Sequence, residues 1–180
     1  TNGRLKAGES VLIQGASSGV GLMGMQIAKL KGARLVIGSA TNDARRERLK
    51  DYCADQVVDT RDPAWPDQVL KATDQKGVDL IVDMVSGATV SAAMRATALC
   101  GRIVNVGRLG GAKAEFDFDL HALRRIDYIG VTFRTRTIEE VREIARRMKV
   151  DLWDAVSDGT LRLPIDRAFP LDQAGAAQAH

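Results

Sequence analysis

Seven small residues, Gly15-Ala16-Ser17-Ser18-Gly19-Val20-Gly21, stand between an aliphatic run, Ser10–Gln14 (SVLIQ), and an apolar helical pattern over Val20–Lys31. Few architectures place such a run at a strand-to-helix junction. It permits a tight turn, lets the backbone approach a ligand closely, and lets the helix pack tightly on its strand. The first amides of the helix are then free to face an anion, and the helix dipole favours one there. Read as G-x-G-x-x-G, the run puts Ala16, Ser18 and Gly21 at the glycine positions. Read as G-x-x-x-G-x-G, it puts Gly15, Gly19 and Gly21 there. Both patterns point to a dinucleotide pyrophosphate, with Ala16, Ser17, Ser18, Gly19, Val20 and Gly21 as the candidate contacts.

The rest of the chain repeats this strand-then-helix arrangement. Arg34–Gly38, Gln56–Val58, Val78–Asp83, Arg102–Val106 and Asp127–Phe133 are continuous aliphatic runs rather than alternating ones, the pattern of strands buried on both faces. Helical patterns cover Asp43–Tyr52, Pro66–Thr73, Ala88–Leu99 and Ile138–Val150, the last with Val141, Ile144, Ala145 and Met148 on one face. Strict alternation predicts α/β class, a doubly wound parallel sheet of about six strands (the Rossmann dinucleotide-binding fold) with helices on both faces. No linker, repeat or low-complexity tract interrupts it, so residues 1–180 are expected to form one domain. Leu163–Pro170, with two prolines, reads as a return segment outside the pattern.

Composition narrows the chemistry. Two cysteines, Cys53 and Cys100, and two histidines, His121 and His180, form no Cys-x-x-Cys pair and no metal-ligand cluster, so no metal site is expected. Both cysteines read as packing residues and His121 as helical surface. Aromatic residues make up 4% of the chain, too few for a base-stacking surface, so no nucleic-acid partner is expected. No apolar run reaches the roughly 18 residues of a membrane span, and Thr1-Asn2-Gly3-Arg4 has no leader character. The expected compartment is cytoplasmic. The net charge of +3 is a small excess, and the basic stretches at Arg45–Arg48 and Arg142–Lys149 read as solvated helix faces.

The G-x-x-x-G-x-G reading is also the fingerprint of short-chain dehydrogenases, which work through Tyr-x-x-x-Lys. Here the fourth residue after Tyr52 is Gln56 and after Tyr128 is Thr132, so that pair is missing. Other segments resemble the medium-chain dehydrogenase/reductase superfamily, and within it the zinc-independent quinone oxidoreductases. They are Lys6–Ile13 ahead of the loop, Leu49-Lys50 with Ala54-Asp55-Gln56-Val57-Val58, and Gly101–Gly107. Phe133–Thr137, Leu163–Arg167 and Phe169–Leu171 continue the likeness nearly to the end of the chain. The resemblance implies a cofactor-binding domain alone, with the family's N-terminal catalytic domain absent and the isolated chain inactive.

It also implies where the cofactor lies. NAD-selective relatives end the second strand with an acid for the adenosine ribose. Here that position is Ala40, flanked by the neutral donors Ser39 and Thr41, and Arg45 matches a lysine that NADPH-dependent relatives set against the 2′-phosphate. Arg46 is the alternative partner. Thr60 stands where many relatives have tyrosine. Met84 and Val85 after the fourth strand, Val106, Gly107 and Arg108 after the fifth, and Thr132, Phe133 and Arg134 after the sixth complete the implied contacts. Asp83 reads as a strand-end structural residue. The implied activity is hydride transfer from NADPH to a quinone or α,β-unsaturated carbonyl, with no acid/base residue in this domain. An enoyl reductase domain of a polyketide or fatty-acid system keeps the cofactor and changes the substrate. A non-catalytic NADPH module for sensing or structure is the reading from another class. The strand Asp127–Phe133, last in the alternation, is expected at a sheet edge, there pairing with a second copy in a homodimer.

Overall fold

In a computed structural model, which describes residues 2–180 and so leaves Thr1 of the N-terminal stretch outside, the aliphatic runs pair into one parallel sheet. Its strands are β1 (Ser10–Gln14), β2 (Leu35–Ser39), β3 (Gln56–Val58), β4 (Val78–Asp83), β5 (Thr97–Asn105) and β6 (Asp127–Gly130). Their order is β3-β2-β1-β4-β5-β6, every neighbouring pair parallel. The chain is therefore doubly wound, with its topological switch point between β1 and β4.

Side chains alternate across each strand, and both faces are apolar. Val11, Ile13, Val36 and Leu80 face helix α1 (Gly19–Leu30) through Leu22, Met25 and Ala28. Leu12, Ile37, Ile81 and Ile103 face the other way, toward α3 (Trp65–Ala72) and α4 (Val90–Ala96), through Trp65, Val69, Ala93 and Met94. At about 1.5–3 kcal/mol for each large aliphatic side chain buried, these two layers dominate the stability.

Several boundaries differ from the sequence reading. The second strand runs one residue further, to Ser39. The helical pattern over 43–52 divides into α2 (Asp43–Glu47) and a 3₁₀ turn, Arg48–Tyr52, closed by Cys53 at φ 71°. The helix expected to end at Leu99 ends at Ala96, because Thr97 already pairs with Val78. A register shift follows, and the strand passes through Cys100 at φ 58° before regular pairing resumes at Arg102. Both cysteines are thus exposed at left-handed backbone positions, not packed in the core. A helix that the reading did not bound, α5 (Phe118–Arg124), carries His121 as expected, half-buried with its ring 5.2 Å from Phe116.

The strand expected over 127–133 leaves the sheet after Gly130. Val131 still donates to the Asn105 carbonyl, and Phe133 is 65% exposed. Helix α6 (Ile138–Ser157) is longer than expected and starts with a Thr137–Glu140 capping box. Its stripe of Val141, Ile144, Ala145 and Met148 joins neither core layer, because α6 follows the edge strand and passes outside both. Met148 remains 55% exposed, and Ala155 is the helix's buried residue. Segment 162–170 is irregular, as expected, and a short α7 (Ala174–Ala179) follows.

The tightest joint in the fold is between α1 and the end of β1. A Cβ on Gly21 would stand 2.5 Å from the Ala16 Cα, a clash with backbone that cannot swing aside. A Cβ on Gly19 would meet nothing within 4 Å. Gly21→Ala is therefore expected to lose about 1–3 kcal/mol, the usual cost of overpacking, whereas Gly19→Ala keeps wild-type stability. Urea unfolding of the two variants checks this, and equal midpoints would refute the packing role of Gly21.

Candidate functional site

At the carboxyl end of the sheet the loop after β1 is held from below. Gly15 takes φ +74°, a backbone conformation that favours glycine. Its amide donates to the Ser39 hydroxyl at 3.2 Å, and the Ala16 amide donates to the Ser39 carbonyl at 2.8 Å. Ser18 caps α1, its hydroxyl accepting from the Gly21 amide at 3.1 Å and donating to the Gly15 carbonyl at 2.9 Å. The amides of Ser17, Gly19 and Val20 have no acceptor among the described residues. With the open space beside Gly19, they form a cradle of unsatisfied donors at a helix N-terminus.

Beside it lies a cleft of about 360 Å³ lined by Ser17, Ser18, Thr41, Arg45, Thr60 and Val85, with Ser39 and Ala40 at its base. Its far wall is Leu109 and Gly110, which the sequence reading did not single out. The Leu109 amide donates to the Met84 carbonyl and the Gly110 amide to the Val85 carbonyl, tying the loop after β5 onto the loop after β4. The glycines of Gly107-Arg108-Leu109-Gly110-Gly111 were the available signal. Gly107 itself is pressed against Met84, where a Cβ would stand 2.6 Å from the Met84 carbonyl oxygen. A second cleft, about 440 Å³, opens at the ends of β5 and β6 between Val106, Arg108, Thr132, Phe133 and Arg134. Val131, Arg136 and Ile144, which the sequence reading had not assigned to the site, line it as well.

Four expected contacts are buried. Met84 is buried in the core at 5% exposure, and Ala16 and Gly21 are buried beneath the loop. Ser39 is buried too, its hydroxyl oxygen accepting from the Gly15 amide. Asp83 has the structural role expected of it. Wholly buried, it accepts from the amides of Val85 at 2.8 Å and Ser86 at 2.9 Å, and so fixes the turn after β4.

Arg45 and Arg46 separate clearly. The Arg46 guanidinium donates to the Ala40 carbonyl at 2.9 Å, to Asp59 at 3.1 Å and to Asp43 at 2.9 Å. Arg61 binds the same Asp59 at 2.7 Å, and its hydrogen bonds, reinforced by the charge of Arg46, lower the Asp59 carboxyl to a pKa of about 2. The Arg45 side chain has no acceptor or carboxylate partner among the described residues and lines the first cleft. Among the described residues no group of three His, Cys, Asp or Glu is placed to hold a metal ion, and no helix is long and apolar enough to cross a membrane.

Strand order, loop and cradle define a Rossmann-type α/β domain. The zinc-binding dehydrogenase family profile matches residues 19–149, and the chain belongs to that family. It is the cofactor-binding domain of a quinone oxidoreductase-like member of the medium-chain dehydrogenase/reductase superfamily, an oxidoreductase family. A mycocerosic acid synthase-like polyketide synthase of Mycolicibacterium smegmatis is 31% identical over 97% of this chain, which spans 8% of the synthase. Human quinone oxidoreductase is 30% identical over 98% of the chain, which spans 51% of that enzyme. The native structure of a mycobacterial quinone oxidoreductase superposes with a TM-score of 0.85 at 26% identity, over 99% of this chain and 54% of that one.

Because the folded Asp59 carboxyl lies below its ordinary 3.8, its contribution to stability is present above that value and is lost as pH falls through about 2. The pair is partly exposed, so the contribution is at most about 1 kcal/mol. Urea midpoints of wild type and Asp59→Asn should differ at pH 7 and converge near pH 2. A gap that stays constant would contradict the assignment.

Proposed function

We propose that this chain binds NADPH along the carboxyl ends of its strands, as the cofactor half of an enzyme reducing a quinone or an α,β-unsaturated carbonyl. The observation that carries the choice of cofactor is the contrast between Arg45, unpaired beside a strand end that offers Ala40 in place of an acid, and Arg46, fully engaged. The residues fit the group. Three free amides at a helix start suit a pyrophosphate, and the guanidinium of Arg45 can grip a 2′-phosphate with a bidentate fork. Thr41 and Thr60 add hydroxyls to the same cleft. Val106, Thr132 and Phe133 wall the nicotinamide end, where their apolar surface orients a ring and excludes water. When bound, the cofactor supplies the hydride.

The similarity to a polyketide synthase favours a second reading, in which the acceptor is the enoyl chain of a synthase intermediate. Both readings use the same cofactor contacts.

Titration of NADPH and NADH against wild type and Arg45→Ala tests the proposal. A charge-assisted phosphate contact is worth about 1.5–3 kcal/mol, so NADPH should bind wild type tenfold or more tightly than NADH, and Arg45→Ala should erase the difference. Equal affinities in the wild type would overturn the preference.

We also propose that β6, an edge strand with Tyr128 and Ile129 half-buried, pairs with its mate from a second copy. A two-fold contact closes both edges. Sedimentation should show a dimer that Gly130→Pro dissociates: the Val131 amide bonds Asn105 within the sheet, so the Gly130 amide faces the free edge, where proline removes a ladder donor. A wild-type monomer at every concentration would sink the idea.

A further inference from the structure

The second cleft has more positive charge than the chain neutralises. Three guanidinium groups, of Arg108, Arg134 and Arg136, line it beside an apolar wall of Val106, Val131, Phe133 and Ile144. Among the described residues Arg108 and Arg134 form no ion pair. Arg136 comes within 3.7 Å of Glu140, too far for a hydrogen bond. The other oxygen of that carboxylate accepts the Thr137 amide at 2.8 Å, and the capping box holds the group at this distance. The next acid along α6, Glu143, is held by Arg146 at 2.8 Å and Arg147 at 2.6 Å. The Nε of Arg136 is buried and has no partner among the described residues. Its guanidinium lies 5.7 Å over the Phe133 ring, a stacking that fixes its plane without supplying an acceptor.

A buried guanidinium N–H without an acceptor, next to two cations that form no ion pair among the described residues, is a site that lacks its anion. We infer that the acceptor substrate carries a carboxylate, which pairs with Arg136 and Arg134 while its carbon skeleton lies against Phe133, Val131 and Ile144. A planar carboxylate matches the fork of arginine, and the apolar wall admits a short unsaturated chain. A neutral quinone could accept a hydrogen bond there but would leave the positive charge of the cleft unbalanced. The inference rests on the reading of this cleft as the nicotinamide end and narrows that reading to acidic enones.

Crotonate and its neutral isostere crotonamide distinguish the cases when titrated calorimetrically into the 180-residue chain, with and without saturating NADP⁺. Crotonate should bind about tenfold or more tightly than crotonamide, the difference between a charge-assisted and a neutral hydrogen bond. Arg136→Gln should remove that preference and Arg136→Lys restore part of it, with thermal melting to confirm folding. Arg134→Gln serves the same purpose if the Arg136 variant does not fold. Equal affinity for the two probes, or a preference untouched by both glutamine variants, overturns the inference while leaving cofactor binding intact. Failure of NADP⁺ to bind while the crotonate preference persists overturns the dinucleotide reading and the acceptor role with it.

Discussion

Helix α1 can rest against the Ala16 backbone because Gly21 carries only hydrogen on its α-carbon, and the carboxyl end of the sheet is organised around that contact. With the helix drawn in, Ser18 reaches the Gly21 amide and caps it, while Ser39 holds the amides of Gly15 and Ala16 from the neighbouring strand. Those bonds consume the donors that belong to the scaffold. What they leave over, the amides of Ser17, Gly19 and Val20, is aimed at space that the chain does not fill. The cradle is thus a remainder, defined by which amides the packing has already satisfied.

Charge is partitioned by the same logic. The acids near the first cleft are neutralised locally, Asp59 by Arg46 and Arg61, and Asp43 by Arg46. Arg46 is further anchored on the Ala40 carbonyl, which fixes the strand end. The preceding residue of the same helix, Arg45, has no side-chain partner among the described residues. Two neighbouring arginines of identical chemistry therefore serve opposite ends, one structural and one facing the cleft. Helix phase, about 100° between successive residues, decides between them.

The sheet was legible because continuous β-branched runs alternating with helical patterns are what a parallel sheet covered on both faces requires, and the small-residue loop was legible because its spacing is a backbone requirement. Boundaries were less so where local signal and pairing disagree. Thr97-Ala98-Leu99-Cys100 reads as the tail of a helix, yet Thr97 finds Val78 and the chain becomes strand. The left-handed positions of Cys53 and Cys100 were hidden because nothing about cysteine announces positive φ. The stripe along α6 is a true periodicity, but period alone does not say whether the protein's own core covers it. Among the site residues, Arg45 stood out by its offset from the strand end. Leu109, Gly110 and Arg136 did not, because loop closure across the two clefts brings them in. Met84 occupied the right loop but turned its side chain inward.

The strand order has an energetic consequence. The two halves of the sheet, β3-β2-β1 and β4-β5-β6, meet at a single seam between β1 and β4. The first cleft straddles that seam, taking Gly15 and Ser17 from one half and Val85, Leu109 and Gly110 from the other. Any ligand seated there bridges the halves and binds only the state in which they are docked. By mass action it then adds to the free energy of unfolding, about 2.7 kcal/mol when its free concentration is a hundredfold above Kd. In a cell where the ligand is abundant, the lifetime of the folded chain would follow its supply.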